Sequence, residues 1–146
     1  MEIKNQQPFG RLLALIGKNY LHALQLKLSD LDAERNFYAL ILIDEGKGKI
    51  TQQELAELLE SDKVSVVRII DNLSDLGYVK REKVETDRRK YSLVLTAKAE
   101  KELPEIKTAI TEVTELAFRG LSVTKIEELY ADLHIIKNNL NNRNYE

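Results

Sequence analysis

The sequence has no cysteine and no tryptophan, and only two histidines, two prolines and one methionine among 146 residues. Without cysteine there is no disulfide scaffold, no thiolate metal site and no thiol redox switch. Two histidines, His22 and His134, do not by themselves build a structural zinc site. They fall in the first and last helical stretches and read as interface or surface residues. No segment approaches the roughly 18 apolar residues of a membrane span. Met1 to Gly10 lacks a basic-then-apolar leader pattern, so the expected compartment is the cytoplasm. There is no Gly-x-Ser-x-Gly. Gly46-Lys-Gly-Lys49 lacks the spacing and the following Ser/Thr of a phosphate loop. The sequence therefore argues against an enzyme and implies no metal and no cofactor.

What is present suffices for one folded domain of the usual size, roughly 100–200 residues. Apolar residues make up 43% and charged residues 32%. The net charge is −2, which on its face disfavours a nucleic-acid binder. Charge acts as a patch, however. Residues 51–77 carry 2 basic and 6 acidic side chains, whereas residues 78–98 carry 7 basic and 3 acidic. The basic ones are Lys80, Arg81, Lys83, Arg88, Arg89, Lys90 and Lys98. A solvated surface hairpin would also account for such a run.

Hydrophobic periodicity predicts mainly helix with one hairpin. Leu12, Ile16, Tyr20, Leu24 and Leu28 recur every four residues in a helix over about 9–28, with Pro8 at its start. Asp32 is placed to cap a second helix through about Ile43, with Phe37, Leu40, Ile41 and Ile43 inward. The glycines of 44–49 then break it. Thr51-Gln-Gln-Glu54 reads as a capping box for a short helix that buries Leu55, Leu58 and Leu59. Asp62 caps the next helix, with Val66, Ile69, Ile70 and Leu73 inward, and Gly77 ends it. Tyr78–Val84 and Lys90–Leu95 alternate like strands around a polar tip, 85–89. Thr96 caps a helix to about Arg119, with Leu103, Ile106, Ile110, Val113 and Ala117 along its seam. Pro104 predicts a kink or restart within it. After Gly120, Ser122 caps a last helix. There Ile126, Leu129, Leu133, Ile136 and Leu140 form a two-per-heptad seam. The tail from Asn141 is polar and is expected to fray.

Two short helices joined by a three-residue turn and followed by a hairpin describe a winged helix-turn-helix, whose second helix enters the DNA major groove. Opposite its buried stripe that helix presents Lys63, Val64, Ser65, Val67, Arg68 and Asn72. Arg68 can donate two bonds to a guanine edge and Asn72 can pair with an adenine. Val64 or Val67 can meet a thymine methyl, and Ser65 a base edge or a phosphate. A surface or intersubunit salt bridge would equally explain Arg68.

Several segments together resemble the MarR (multiple antibiotic resistance regulator) family of transcription factors. They are Thr51–Leu59, Val66–Leu73, Leu76-Gly-Tyr-Val-Lys-Arg81, Asp87-Arg-Arg89, Leu93-Val-Leu-Thr96 and Gly120-Leu-Ser122. The Asp-Arg-Arg wing followed by Leu-x-Leu-Thr is the most specific of them. The family often has Pro where this chain has Val64, and a hydroxyl residue where it has Val67. The resemblance implies a mainly α fold with a small β wing. It assigns a winged helix-turn-helix to residues 31–98 and dimerisation helices to 1–30 and 99–146, within one compact domain. It implies a homodimer on a pseudo-palindromic operator, acting as a repressor, with half-sites about one DNA turn (~34–36 Å) apart. The apolar seams suit a monomeric bundle equally well.

By the same resemblance, Arg89 matches the arginine that enters the minor groove, where A·T-rich DNA concentrates negative potential. Asp87 would brace it in a bidentate pair, or form the hairpin turn. Arg81, Lys83, Arg88 and Lys90 would meet phosphates. Family members often respond to small phenolic or other aromatic anions. Arg11, Lys18, Tyr20, His22 and Tyr38 are the candidates for such an effector site. The competing reading is a winged-helix module that binds protein and not DNA.

Overall fold

A computed structural model describes residues 7–141. Residues 1–6, part of the stretch searched for a leader, and the tail residues 142–146 lie outside the described residues. The elements, in order, are α1 (Phe9–Lys27), α2 (Phe37–Glu45), α3 (Gln52–Leu58), α4 (Lys63–Asp75), β1 (Val79–Val84), β2 (Asp87–Leu95), α5 (Ala97–Ala117) and α6 (Val123–Asn141). Among the described residues, no helix is long and apolar enough to cross a membrane. Packing divides the chain into two units, the first ending at Val113 and the second starting at Thr114, with the boundary inside α5.

In the first unit, α2 is the central post. Phe37, Ala39, Leu40, Leu42 and Ile43 are all buried, so it is covered nearly all round. Around it lie Leu24 and Leu28, Leu55, Val66, Ile70, Leu73, Tyr78, Val79, Leu93, Leu103 and Ile106. The α1 stripe is covered only in its C-terminal part. Leu24 and Leu28 are buried, whereas Leu12 and Ile16 stay 45% and 54% exposed.

Local chemistry sets most of the boundaries. The Glu54 amide donates to the Thr51 hydroxyl at 3.1 Å and the Thr51 amide to the Glu54 carboxylate at 3.4 Å, closing the expected capping box. After α4, Gly77 takes φ +82. Its amide donates to the Ser74 carbonyl and that of Tyr78 to the Leu73 carbonyl, a Schellman ending. Thr96 then joins two elements. Its hydroxyl donates to the Gly77 carbonyl at 2.6 Å and accepts from the Ala99 amide at 3.2 Å.

Several expectations need correction. Asp32 does not cap α2. The helix starts at Phe37, after Asn36 at φ 66. The chain in between turns so that Asp32 meets the Lys98 ammonium and the Ala33 amide reaches the Tyr78 hydroxyl. Leu58 is 55% exposed. At about 100° per residue, the buried face of α3 is centred between Leu55, Ala56 and Leu59, which leaves Leu58 at its rim. Pro104 does not restart α5, which runs through it as one helix and ends at Ala117, short of Arg119. Pro104 lies on the exposed side, where the carbonyl it leaves unpaired can be hydrated.

The second unit holds the end of α5 and α6. Gly120 takes φ +89, and the Lys125 amide donates to the Ser122 hydroxyl at 3.2 Å, the expected cap. Phe118 and Tyr130 pack edge to face, 5.9 Å between ring centroids. Among its described residues α6 has none that is buried. Ile126, Leu133 and Ile136 are half-buried, and Leu129, Tyr130, Ile135 and Leu140 are exposed.

Candidate nucleic-acid interface

The open face of α4 carries the residues expected there. Lys63, Val64, Val67, Arg68 and Asn72 are exposed, while Val66, Ile70 and Leu73 are buried behind them. Lys63 and Arg68 have no ion-pair partner among the described residues. Two apolar side chains, Val64 at 62% and Val67 at 39% exposure, face outward beside them. Such contacts suit a thymine methyl. Ser65 is differently employed. Its amide and hydroxyl both donate to the Asp62 carboxylate, each at 2.8 Å. These bonds hold the Asp62 carboxyl below the usual carboxylate range. The hydroxyl donor expected to meet DNA is thus occupied by the cap.

The wing differs from the expected hairpin in a way that matters for charge. Its turn is only Glu85-Thr86, and β2 already begins at Asp87. From Val79↔Leu95 to Lys83↔Tyr91 the register is regular, but Val84 then faces Asp87. Arg88, Arg89 and Lys90 therefore have no counterpart on β1. A bulge of this kind bends a strand and re-aims its side chains. All three residues are exposed. Arg88 and Lys90, like Lys83 on β1, have no ion pair among the described residues.

Arg89 is braced by Asp87, though not by the two-oxygen fork expected. One oxygen, Asp87 Oδ1, accepts from the Arg89 amide at 3.1 Å and from its Nε at 3.3 Å. The far nitrogens of the guanidinium are left free of the carboxylate. The Arg89 side chain is 91% exposed.

Arg81 is the clear departure. It was expected to meet phosphate, yet its Nε donates to Gln52 Oε1 at 2.5 Å and its Nη2 to Asp71 Oδ1 at 2.6 Å. It ties β1 to α3 and α4, and only 28% of its side chain is exposed. Sequence reading also missed a third strand contact. Thr51 bridges Ser92, and the Leu93 amide donates to the Ile50 carbonyl at 2.8 Å. The β-branched pair Ile50-Thr51 was the available signal. Between α3, α4 and the wing lies a cleft of about 170 Å³ lined by Thr51, Gln52, Gln53, Lys63, Arg89, Lys90 and Tyr91. Three cations from two elements converge on it.

Of the effector candidates, Tyr20 and Tyr38 come together. They line one cavity of about 310 Å³ with Leu21, Leu24, Asn36, Phe37 and Ile110. Arg11, Lys18 and His22 are exposed and outside that lining. The lining has no charged side chain, so nothing there would counter an aromatic anion.

Comparison with known proteins agrees with this geometry. Residues 29–90 match the family model described as MarR family. The chain is 28% identical over 131 residues to YybA of Bacillus subtilis (strain 168), named an uncharacterized HTH-type transcriptional regulator. That match covers 89% of this chain and 87% of YybA. A MarR transcriptional regulator from Methanosarcina mazei Go1 superposes with a TM-score of 0.76 at 28% identity, over 89% of this chain and 94% of the other. A putative MarR family regulator from Listeria monocytogenes, crystallised with 26mer DNA, superposes with a TM-score of 0.81 at 23% identity, over 92% and 90%. The helix-turn-helix, the basic wing and these likenesses point the same way: residues 29–90 are similar to the MarR family, and most of the chain is similar, at 28% identity, to proteins named as transcriptional regulators.

Proposed function

We propose that the protein binds a pseudo-palindromic DNA operator as a homodimer and represses the promoter that contains it. The helix α4 lies in the major groove, where Arg68 and Asn72 read bases, Val64 and Val67 meet methyl groups and Lys63 meets phosphate. The wing lies along the backbone. Arg89, held at its root by Asp87, enters the minor groove, and Lys83, Arg88 and Lys90 neutralise phosphates. The observation that carries this reading is the displaced segment Arg88-Arg89-Lys90, of which Arg89 and Lys90 line one cleft with Lys63 of α4. Support also comes from the Listeria monocytogenes relative, which was crystallised on DNA.

The homodimer reading assigns residues 31–98 to DNA and the helices of 1–30 and 99–146 to dimerisation. It rests on two apolar faces left exposed within their own units, Leu12 and Ile16 on α1 and Leu129 on α6. The effector is a small aromatic or phenolic molecule in its neutral form, seated between Tyr20 and Tyr38. The protein works in the cytoplasm. A ligand shifts operator affinity only if it prefers one spacing of the two recognition helices.

Footprinting on genomic fragments tests the whole reading at once. Two protected half-sites about 34–36 Å apart, or a multiple of one turn, are the expected result. Protein that protects no fragment, while capturing a protein partner irrespective of salt, would support the interaction-module reading instead.

A further inference from the structure

Midway along the wing, both strands are tied to neighbouring segments of the first unit. Arg81 and Leu93 face each other across the ladder. On the β2 side, the Leu93 amide donates to the Ile50 carbonyl and Ser92 bridges Thr51. On the β1 side, the Arg81 guanidinium reaches two elements, Gln52 on α3 at 2.5 Å and Asp71 on α4 at 2.6 Å. Beyond this rung the ladder has two more regular pairs, Glu82↔Ser92 and Lys83↔Tyr91, before the displaced Arg88–Lys90 segment.

We propose that Arg81 is a positioning residue for DNA recognition: its fork sets the angle of the wing against α4, and thereby where Arg89 lands relative to the bases α4 reads. The proposal rests on the DNA-binding reading above. Stability is a poor explanation for the contact, because Asp71 is 56% exposed and exposed ion pairs contribute little. Orientation is a better one. A guanidinium is planar with donors at fixed angles, so two acceptors on two different helices define one pose of the strand that carries it. A lysine ammonium has no such fork. The pair also covers the one carboxylate next to Asn72 on the reading helix. Left alone, that charge would repel the DNA backbone.

The absence of cysteine makes a direct test clean. Spin labels on cysteines introduced at Asp75 and Thr86, both exposed, report the distance between α4 and the wing turn. Dilution with unlabelled protein restricts the signal to one chain. In DNA-free protein, Arg81→Met and Arg81→Lys should broaden the distance distribution, and Gln52→Ala should broaden it in part. The double variant Arg81→Met with Asp71→Asn should stay broad, which separates lost geometry from uncovered charge. Operator affinity supplies a second readout that mere structural damage would not give. Arg89→Ala should weaken binding about tenfold in the wild-type background and almost not at all in Arg81→Met. Arg68→Ala should keep its full effect in both. An unchanged distance distribution in Arg81→Met overturns the proposal, and so does an undiminished Arg89→Ala effect in that background. Wild-type protein that binds no DNA overturns the functional reading instead, while the label distances still decide whether Arg81 fixes the wing.

Discussion

The buried Tyr78 hydroxyl accepts a hydrogen bond from the equally buried Ala33 amide at 3.1 Å, across 45 residues of sequence. This contact holds the turn between α1 and α2 against the end of α4. Tyr78→Phe removes the acceptor and leaves the amide unpaired. The expected loss is about 1–3 kcal/mol, measured as a lower urea midpoint with unchanged slope.

The same tyrosine predicts a pH dependence. Burial, followed by the nearby Glu102 carboxylate, pushes its pKa from 10.0 up to about 12. The folded state therefore holds the proton more tightly than the unfolded state. Stability from this group is complete below pH 10 and is lost as pH rises toward 12. Other tyrosines and lysines titrate there too, so the observable is the difference between wild type and Tyr78→Phe. That difference should shrink across this interval. A constant difference would count against the assignment.

Gly77→Ala tests the junction between helix and wing. An added Cβ would meet nothing closer than the Lys98 side chain at 3.8 Å, so the cost is conformational, from φ +82. About 1–2 kcal/mol of destabilisation is expected. Gly17→Ala in α1, with open space around it, should not destabilise. Equal losses at the two positions would contradict the Schellman ending.

Asp87→Ala separates bracing from bulk charge. Removing an acid beside a DNA backbone should tighten binding if charge alone counted. Because Asp87 holds the root of Arg89, binding should weaken instead, by about 1 kcal/mol or several-fold. Tighter binding by competition titration would remove the bracing role.

These elements differ in how far the sequence revealed them. Thr51 with Glu54, Asp62 before α4 and Gly77 after it were legible because each acts on residues three or four positions away. The start of α2 was not, since Asp32 finds Lys98, 66 residues on, in place of a local amide. The outward face of α4 followed from its 3.6-residue period. The fate of Arg81 did not, because Gln52 lies 29 residues away and only the folded chain brings it near. The basic wing was visible as composition. Its register jump was not, since β pairing is set by two strands jointly and a polar run of charges fixes no register.

Ile16→Glu and Leu129→Glu test the dimer. Each puts a charge on an apolar face that the protein's own unit leaves open. Sedimentation equilibrium should show monomer in place of dimer for either variant, with operator affinity reduced in parallel. Dimers that persist in both variants would place the interface elsewhere.

The most direct measurement is operator affinity as a function of salt, for the wild type and for Arg88→Ala/Arg89→Ala/Lys90→Ala. If the displaced wing segment grips the DNA backbone, the wild type should lose affinity steeply with salt, by about −0.9 in log K against log salt for each phosphate neutralised. The triple variant should bind more weakly and with a shallower slope, by up to about three such contacts per protomer. Binding that ignores salt, or a triple variant with the wild-type slope, would contradict the account.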